Sequence, residues 1–342
     1  MAVTIKQIAE KSGVSRGTVD RVLNHRGNVS PETESLITRV ARDLGYTPNI
    51  AGKALAARKK KYIIGIILCS EGNEFYDDVL RGIHRAEAEA EDYGISILIR
   101  TTKGYHVETQ LQMMDELKPD IHFLILNAIH DRRVEKKIAE FRSSGIEVIT
   151  INTDVENQDR LCHVGSNGLK SGETAGGMMG LLTGGNAKVL LAIGNRIVLG
   201  HNQRQKGFTS ILSERYPAIE IVDTIETEDD ESLAHERAKD ALLQHPEISA
   251  IYVAAGGATG VCDALADLNR TDILVIACDC TKSMEDLIKR GLVKATICQQ
   301  PFTQGYKSVQ LAVKYLVNGI KPAKSMYAMK NEIKIYENTF DN

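Results

Sequence analysis

From Tyr62 onward, apolar and polar positions alternate in blocks. Short apolar runs recur as YIIGIIL (62–68), ISILI (95–99), HFLIL (122–126), VITI (148–151), KVLLAI (188–193), AIYVAA (250–255) and ILVIAC (273–278). Amphipathic stretches such as 76–93 and 107–118 separate them. A short unbroken apolar run bounded by polar residues reads as a strand covered on both faces, and the longer amphipathic stretches read as helices. The alternation predicts right-handed βαβ units building parallel sheets with helices on both faces. Such sheets bind ligands at the carboxyl ends of their strands. Polar residues gather there, in CSEGNEFYDD, LNA, NTD, ACDC and TICQQP.

The first sixty residues follow a helical period instead. Thr4 and Gln7 have capping-box spacing, and Ile5, Ile8 and Ala9 give the following helix one apolar face. KSGVS ends that helix at Gly13, and Ser15 caps a second, with Val19, Val22 and Leu23 on one face. Arg16, Asp20, Arg21 and Asn24 fall on the other face. Ser30-Pro31 starts a third helix that runs to about Leu44 and stops at GYTP. Two short helices joined by a Gly-containing turn have helix-turn-helix spacing. The charge distribution agrees. Residues 1–61 hold twelve Lys or Arg against five Asp or Glu, a surplus of seven, whereas the whole chain carries −3 and the remainder therefore −10. A basic head on an acidic body is the footprint of a nucleic-acid-binding arm.

These motifs, VTIKQIAEKSGVSRGTVDRVLN followed by RGNVSPETESLITRVARDLGYTPNIAGKALA, resemble the head of the lactose-repressor (LacI) family of bacterial transcription regulators over some 55 residues. The resemblance implies that the second helix lies in the major groove of double-stranded DNA. It also implies that a short hinge helix near 49–57 wedges Leu55 into the minor groove, where aliphatic wedges unstack a base step. The DNA-facing set is then Thr4, Ser15, Arg16, Gly17, Thr18, Asp20, Arg21, Asn24, Asn49, Lys53 and Leu55. Two positions depart from the family pattern. Asp20 stands where a small hydroxyl residue is usual; it pairs with Arg16 within the helix or accepts from a cytosine amino group. Gly17 offers no side chain, so base readout leans on Arg16, Thr18 and Arg21.

The body resembles the periplasmic sugar-binding-protein type I fold, which that family shares: two parallel-sheet lobes closing over a small ligand. The expected organisation is a helix-turn-helix domain at 1–48, a hinge and linker at 49–61, an N-terminal lobe from 62–165 and 300–322, and a C-terminal lobe from 166–299 and 323–342. Lobe crossings are expected near 163–166, 299–302 and 321–324. The resemblance assigns effector contact to Asn73, Phe75, Tyr76, Asn127 and Asp154 in one lobe and to Arg204, Asp279 and Gln299 in the other. Paired carboxylates, amides and an Arg fork suit sugar hydroxyls, and aromatic rings suit the apolar sugar face. Asp154 and Asp279 read alternatively as structural acids between lobes. AAGGATG (254–260) replaces the Asn-Asp pair common in sugar binders, which leaves the ligand's identity open.

Other classes fit less well. GLKSGET lacks the GK[ST] close of a P-loop, GxSxG occurs at 13–17 only in the turn between two expected helices and not at a strand-to-helix elbow, and GGATG lacks a third glycine at dinucleotide spacing. His residues show no metal spacing, so neither metal nor cofactor is expected and no catalytic residue is assigned. The six cysteines form no CxxC and read as reduced, mostly buried small hydrophobes. No apolar run is long enough to span a bilayer and the opening residues lack a secretory leader, so a cytoplasmic protein without membrane contact is expected. A three-helix head buries too little DNA alone, which implies a homodimer on a palindromic operator. The tail NEIKIYENTFDN has no leucine heptads for a tetramer. The expected function is a ligand-responsive repressor of carbohydrate-related genes. The alternatives are a solute-binding protein of transport and an enzyme with a fused DNA-binding head.

Overall fold

The computed structural model describes residues 3–23, 29–46, 52, 57–156 and 159–339. Asn24, Asn49, Lys53 and Leu55, with most of the expected hinge helix, lie outside the described residues.

The head is three helices on one small core. α1 (Ile5–Ser12) opens on the capping box: Thr4 Oγ1 accepts from the Gln7 amide at 3.4 Å, and Gln7 Oε1 accepts from the Thr4 amide at 2.8 Å. Gly13 ends it in the left-handed conformation, which turns the chain into α2 (Arg16–Leu23). Ser15 Oγ accepts from the Thr18 amide at 3.1 Å. α3 (Pro31–Asp43) is capped by Ser30. The helical period brings Ile8, Val19 and Ile37 to full burial, with Ala9, Val22, Val40 and Ala41 around them.

The body holds two six-stranded sheets. The first lobe runs β1 (Ile63–Leu68), α4 (Phe75–Ala90), β2 (Ser96–Thr101), α5 (Val107–Leu117), β3 (Phe123–Leu126), α6 (Arg132–Ser143), β4 (Glu147–Ile151) and β5 (Cys162–Ser166). The second runs α7 (Gly168–Leu182), β6 (Asn186–Ile193), α8 (Leu199–Arg215), β7 (Ala218–Glu226), α9 (Glu231–Gln244), β8 (Ala250–Val253), α10 (Ala258–Asp267), β9 (Leu274–Cys278), α11 (Lys282–Lys289) and β10 (Ala295–Cys298). The chain then returns through α12 (Pro301–Asn318), β11 (Met326–Met329), β12 (Glu332–Lys334) and α13 (Tyr336–Thr339).

Strand order is β11-β5-β4-β3-β1-β2 in one sheet and β12-β10-β9-β8-β6-β7 in the other. Every pairing is parallel except β10 with β12. The apolar runs are explained by this arrangement, because a parallel sheet with helices on both faces buries both. In β1, Ile64, Ile66 and Leu68 join the core shared with α4 and α12, whereas Ile67 joins the core shared with α5 and α6. In the second lobe Leu190 and Ala192 face α9 and α10, and Val189, Leu191 and Ile193 face α7 and α8.

The chain changes lobe between β5 and α7, between β10 and α12, and between β11 and β12. The last crossing corrects the expectation at 321–324. β11 pairs with β5, Met326 opposite His163 and Met329 opposite Ser166, so residues 326–329 are part of the first lobe's sheet. The crossing falls at Lys330 and Asn331. The cause is a short edge strand, MYAM, which is only half-buried and is not singled out from the apolar pattern.

Glycines let helices meet backbone to backbone. A Cβ on Gly82 of α4 would sit 2.1 Å from the Phe302 carbonyl oxygen of α12, and one on Gly305 of α12 would sit 2.1 Å from that of Val79. The second lobe repeats the device: a Cβ on Gly172 of α7 would sit 2.0 Å from Arg204 O, and one on Gly207 of α8 would sit 2.1 Å from Leu169 O. A Cβ on Gly177, also in α7, would point into open space. Gly305→Ala should therefore destabilise by about 1–3 kcal/mol through overpacking. Gly177→Ala should be neutral or stabilise by up to about 1 kcal/mol through helix propensity. Urea unfolding of both variants beside the parent checks this, and equal effects would refute the contact geometry.

Candidate functional site

Two surfaces were expected to carry function. In the head, Thr4, Ser15, Arg16, Gly17 and Arg21 are exposed, and Thr18 and Asp20 are half-buried. Arg16 and Arg21 thus present cations on the side of α2 away from Val19 and Val22. A Cβ at Gly17 would meet only Ser15 Oγ, at 3.7 Å, so this face is open backbone. Burial and the neighbouring Asp20 carboxylate together raise the Tyr46 phenol above its ordinary pKa, which places the Asp20 charge close to the chain that follows α3.

In the body, the carboxyl ends of both sheets meet at a cleft. One compartment, of about 320 Å³, is lined by Asn73, Glu74, Asp229, Glu231, Gly256, Gly257, Asp279, Thr281 and Ser283 among others. A smaller one beside it, about 20 Å³, is lined by Asn73, Phe75, Tyr76, Tyr105, Asn152, His201, Arg204, Asp229, Asp279 and Gln299. Asn152, Asp229 and Asp279 have φ of 61°, 56° and 76°, unusual for residues with a side chain. Each directly or closely follows a strand, and the turn it makes aims its side chain region at the gap. Such conformations cluster where a fold places functional groups.

Arg204 anchors the second lobe's wall. It is 6% exposed; its Nη1 donates to Ala254 O at 2.6 Å and its Nη2 to Gln299 Oε1 at 2.8 Å. Gln299 turns its Nε2 to Asp279 Oδ1, so guanidinium, amide and carboxylate form a chain. Burial raises the Asp279 pKa, and Arg204 and Gln299 only partly offset it. On the opposite wall the Tyr76 hydroxyl lies 3.1 Å from both Asn127 Oδ1 and Asn152 Oδ1 and shares its one proton between them.

Two expected ligand residues are placed elsewhere. Asn127 is buried behind the wall with all its capacity used: Oδ1 accepts from Cys69 N and Tyr76 Oη, and Nδ2 donates to Ile151 O and Thr153 Oγ1. It sets the wall's shape. Asp154 lines neither compartment. Arg160 grips it in a two-point pair at 2.6 and 2.5 Å, and Thr150 donates to it at 2.7 Å. Burial works against its charge, but His163 and Arg160 outweigh that and lower its pKa. Asp154 is thus a structural acid, but one held within the first lobe by Thr150, Arg160 and His163 rather than between the lobes. Asn73, Phe75, Tyr76, Arg204, Asp279 and Gln299 do line the cleft.

Three residues of the smaller compartment, Tyr105, His201 and Asp229, carry no signal in the sequence, and Asn152 is marked only as part of the polar NTD strand end. Tyr105 Oη donates to Asp229 Oδ2 at 2.5 Å, from one lobe to the other, and its ring meets His201 edge-on at 6.2 Å. Glu74 Oε2 accepts from Ser283 N and Oγ at 3.2 and 2.9 Å, and His130 N donates to Ile197 O at 3.2 Å. The two lobes are therefore latched by polar contacts. The AAGGATG loop adds a small-residue wall: Gly256 N donates to Asp229 Oδ1 at 2.8 Å and Gly260 N to Glu231 Oε2 at 2.7 Å. The cysteine expectation also needs correcting. Cys69, Cys162, Cys262 and Cys278 are free and buried, but Cys280 and Cys298 form a disulfide. Adjacent strands β9 and β10 pair Ile297 with Cys278, which brings the residues just beyond them together, 18 apart in sequence and without a motif.

A basic three-helix head joined to a two-lobed α/β body with a polar cleft defines a ligand-binding DNA-binding protein. The chain belongs to the periplasmic binding protein domain family, matched over residues 64–320, and its head, residues 4–49, to the bacterial regulatory proteins of the lacI family. It is 26% identical over 325 residues to the ribose operon repressor of Lactococcus lactis subsp. lactis (strain IL1403), covering 91% of this chain and 90% of that one. It is 24% identical over 282 residues to the ribose import binding protein RbsB of Bacillus subtilis (strain 168), covering 82% and 90%. Among solved structures, the glucose-galactose binding protein GanP from Geobacillus stearothermophilus superposes with a TM-score of 0.75 at 22% identity, over 81% of this chain and 98% of that one. That likeness shows the shared fold.

His201 gives the cleft a pH signature. Its Nδ1 accepts from the Asn195 amide at 3.0 Å, and burial lowers its pKa from 6.5 to about 4, against the pull of Asp229. The unfolded chain then binds a proton near pH 6.5 that the folded chain refuses until about pH 4. This contribution is full above pH 6.5 and is lost as pH falls towards 4, on the order of 3 kcal/mol in all. Urea unfolding from pH 7 to 4 should show a shallower acid limb for His201→Asn than for the parent. Parallel limbs would mean that His201 titrates normally.

Proposed function

We propose that this chain is a repressor of carbohydrate-related genes that binds a palindromic operator as a homodimer and releases or tightens it when an uncharged sugar enters the cleft. The observation that carries this is the joining of two things in one chain: an exposed Arg16–Arg21 face on a capped helix-turn-helix, and a latched cleft lined from both lobes. One head has too few base contacts for specific binding, so twofold symmetry supplies the second. Its work on DNA places it in the cytoplasm, and it needs no catalytic chemistry. Thr4, Ser15, Arg16, Thr18 and Arg21 are the head's contact set, with Asn24, Asn49, Lys53 and Leu55 extending it.

The cleft's charge narrows the effector. Glu74, Asp229, Glu231 and Asp279 line the larger compartment, and no Lys or Arg is among its lining residues. Arg204, at the smaller compartment, already gives Nη1 to Ala254 and Nη2 to Gln299, which leaves its Nε without a partner among the described residues. Carboxylates accept from sugar hydroxyls and repel phosphates and acids. The ribose-related and glucose-galactose-related names of the relatives agree with a neutral sugar. A ligand spanning Asn73 and Tyr76 on one side and Arg204 and Asp279 on the other favours the closed lobes. It acts on DNA only through its preference for that state, typically about 1–3 kcal/mol.

A thermal-shift screen should show stabilisation by one or more neutral pentoses or hexoses and none by their phosphates or uronic acids. Stabilisation by a sugar phosphate alone would overturn the charge argument. On an operator selected from random DNA, Arg21→Ala should relax base preference. Asp279→Ala should abolish the sugar response while leaving ligand-free affinity near that of the parent. A full response in Asp279→Ala would remove Asp279 from the site.

A further inference from the structure

The Cys280–Cys298 bond lies against the cleft. Cys280 directly follows Asp279, the residue at φ 76°, and directly precedes Thr281, which caps α11. Cys298 is the last residue of β10 and directly precedes Gln299, which holds both Arg204 and Asp279. The Cα atoms are 5.4 Å apart, inside the range a disulfide spans. The bond therefore ties together the two strand ends that carry the cleft's Asp279 and Gln299. It also sits at the second lobe crossing, just before Pro301 begins α12.

The two sulfurs are unequal in access. Cys298 is 5% exposed, whereas Cys280 is half-buried and lines a separate cavity of about 310 Å³. Thr281, Lys282 and Glu285 from its own lobe line that cavity, and Glu74, Phe75 and Arg81 line it from the other. The four other cysteines are buried, and burial pushes Cys69, Cys162 and Cys262 up to about 12, so they stay protonated and inert. Only this pair is placed for exchange. Disulfides in proteins that work among thiol reductants are generally transient and redox-sensing.

We propose that Cys280 and Cys298 form a reversible thiol–disulfide couple that locks Asp279 and Gln299 in place when oxidised and loosens them when reduced. The oxidant is a low-molecular-weight disulfide. The Cys280 thiolate attacks one sulfur of that molecule, forming a mixed disulfide and expelling one small thiolate. The Cys298 thiolate then attacks the Cys280 sulfur, forming the internal bond and expelling the second. The two protons lost by the cysteines end on the two small thiols, so two electrons pass to the oxidant. Excess thiol reverses both steps. The consequence for ligand response rests on the cleft being the effector site, but the couple does not. A protein that binds no sugar would leave the thiol results intact.

The full chain is equilibrated with reduced glutathione or with glutathione disulfide, alkylated under native conditions with iodoacetamide, and digested. With reduced glutathione, Cys280 should carry the label. With glutathione disulfide, the peptides holding Cys280 and Cys298 should be joined, and dithiothreitol should separate them. Hydrogen exchange of residues 279–284 and 296–301 should be several-fold slower in the oxidised protein. Cys280→Ser and Cys298→Ser should show the fast pattern in either glutathione form. Cys280 remaining alkylatable after glutathione disulfide, or a bond that forms without slowing exchange in these segments, would overturn the proposal.

Discussion

A guanidinium taken out of water needs replacements for its hydration, and at Arg204 the second lobe is organised to supply them. A buried cation left unanswered costs several kcal/mol, so its donors need fixed acceptors, and here both terminal nitrogens find one although Nε does not. Ala254 O is one, offered by the chain leaving β8, and Gln299 Oε1 is another, offered by the chain leaving β10. Gln299 can face Arg204 only because its amide end is taken by Asp279, which in turn sits in a left-handed turn held by Ile297 O and Thr296 Oγ1. Three strand ends are thereby brought into register by one charge. The cleft wall rests on that link, while the backbone pairing of β9 with β10 brings Cys280 to Cys298.

The first lobe reaches a similar rigidity without a charge. Asn127 spends its whole hydrogen-bonding capacity joining the ends of β1, β3 and β4, and it passes that order to Tyr76. Between the two walls lie local links: a short Tyr105–Asp229 hydrogen bond, Glu74 with Ser283, and the exposed Lys103–Asp230 ion pair at 3.9 Å. Exposed ion pairs are worth little, typically under about 1 kcal/mol. Strong order inside each lobe with local contacts between them is what a two-state closure requires, since a ligand of ordinary affinity can then decide the balance.

Much of this was legible in the sequence, and unevenly so. The head's caps at Thr4, Ser15 and Ser30 are local chemistry, readable from spacing alone. The long apolar strands are legible because double-sided burial leaves an unbroken run. CHVGS was not legible as a strand, although β5 is buried throughout, because its composition is polar and small. β7 and β11 are edge strands whose half-exposed faces dilute the pattern. Among cleft residues, those next to long strands were found, such as Asn73 and Asp279. Tyr105, His201 and Asp229 come from loops or a helix and meet only through the tertiary fold. Asn127 and Asp154 show the converse limit. A polar residue at a strand end can serve the ligand or the wall behind it, and only its partners tell which.

The late crossing at Lys330 and Asn331 has a mechanical meaning. β11 belongs to one sheet and β12 to the other, with two residues between them. A trans chain extends by at most about 3.5 Å per residue, so this strap reaches roughly 10 Å from Met329 to Glu332. The lobes can swing about such a short tether, but they cannot slide past each other or part without tearing an edge strand from its sheet. The motion available to the body is thus closer to a jaw on a pin than to two weights on a string.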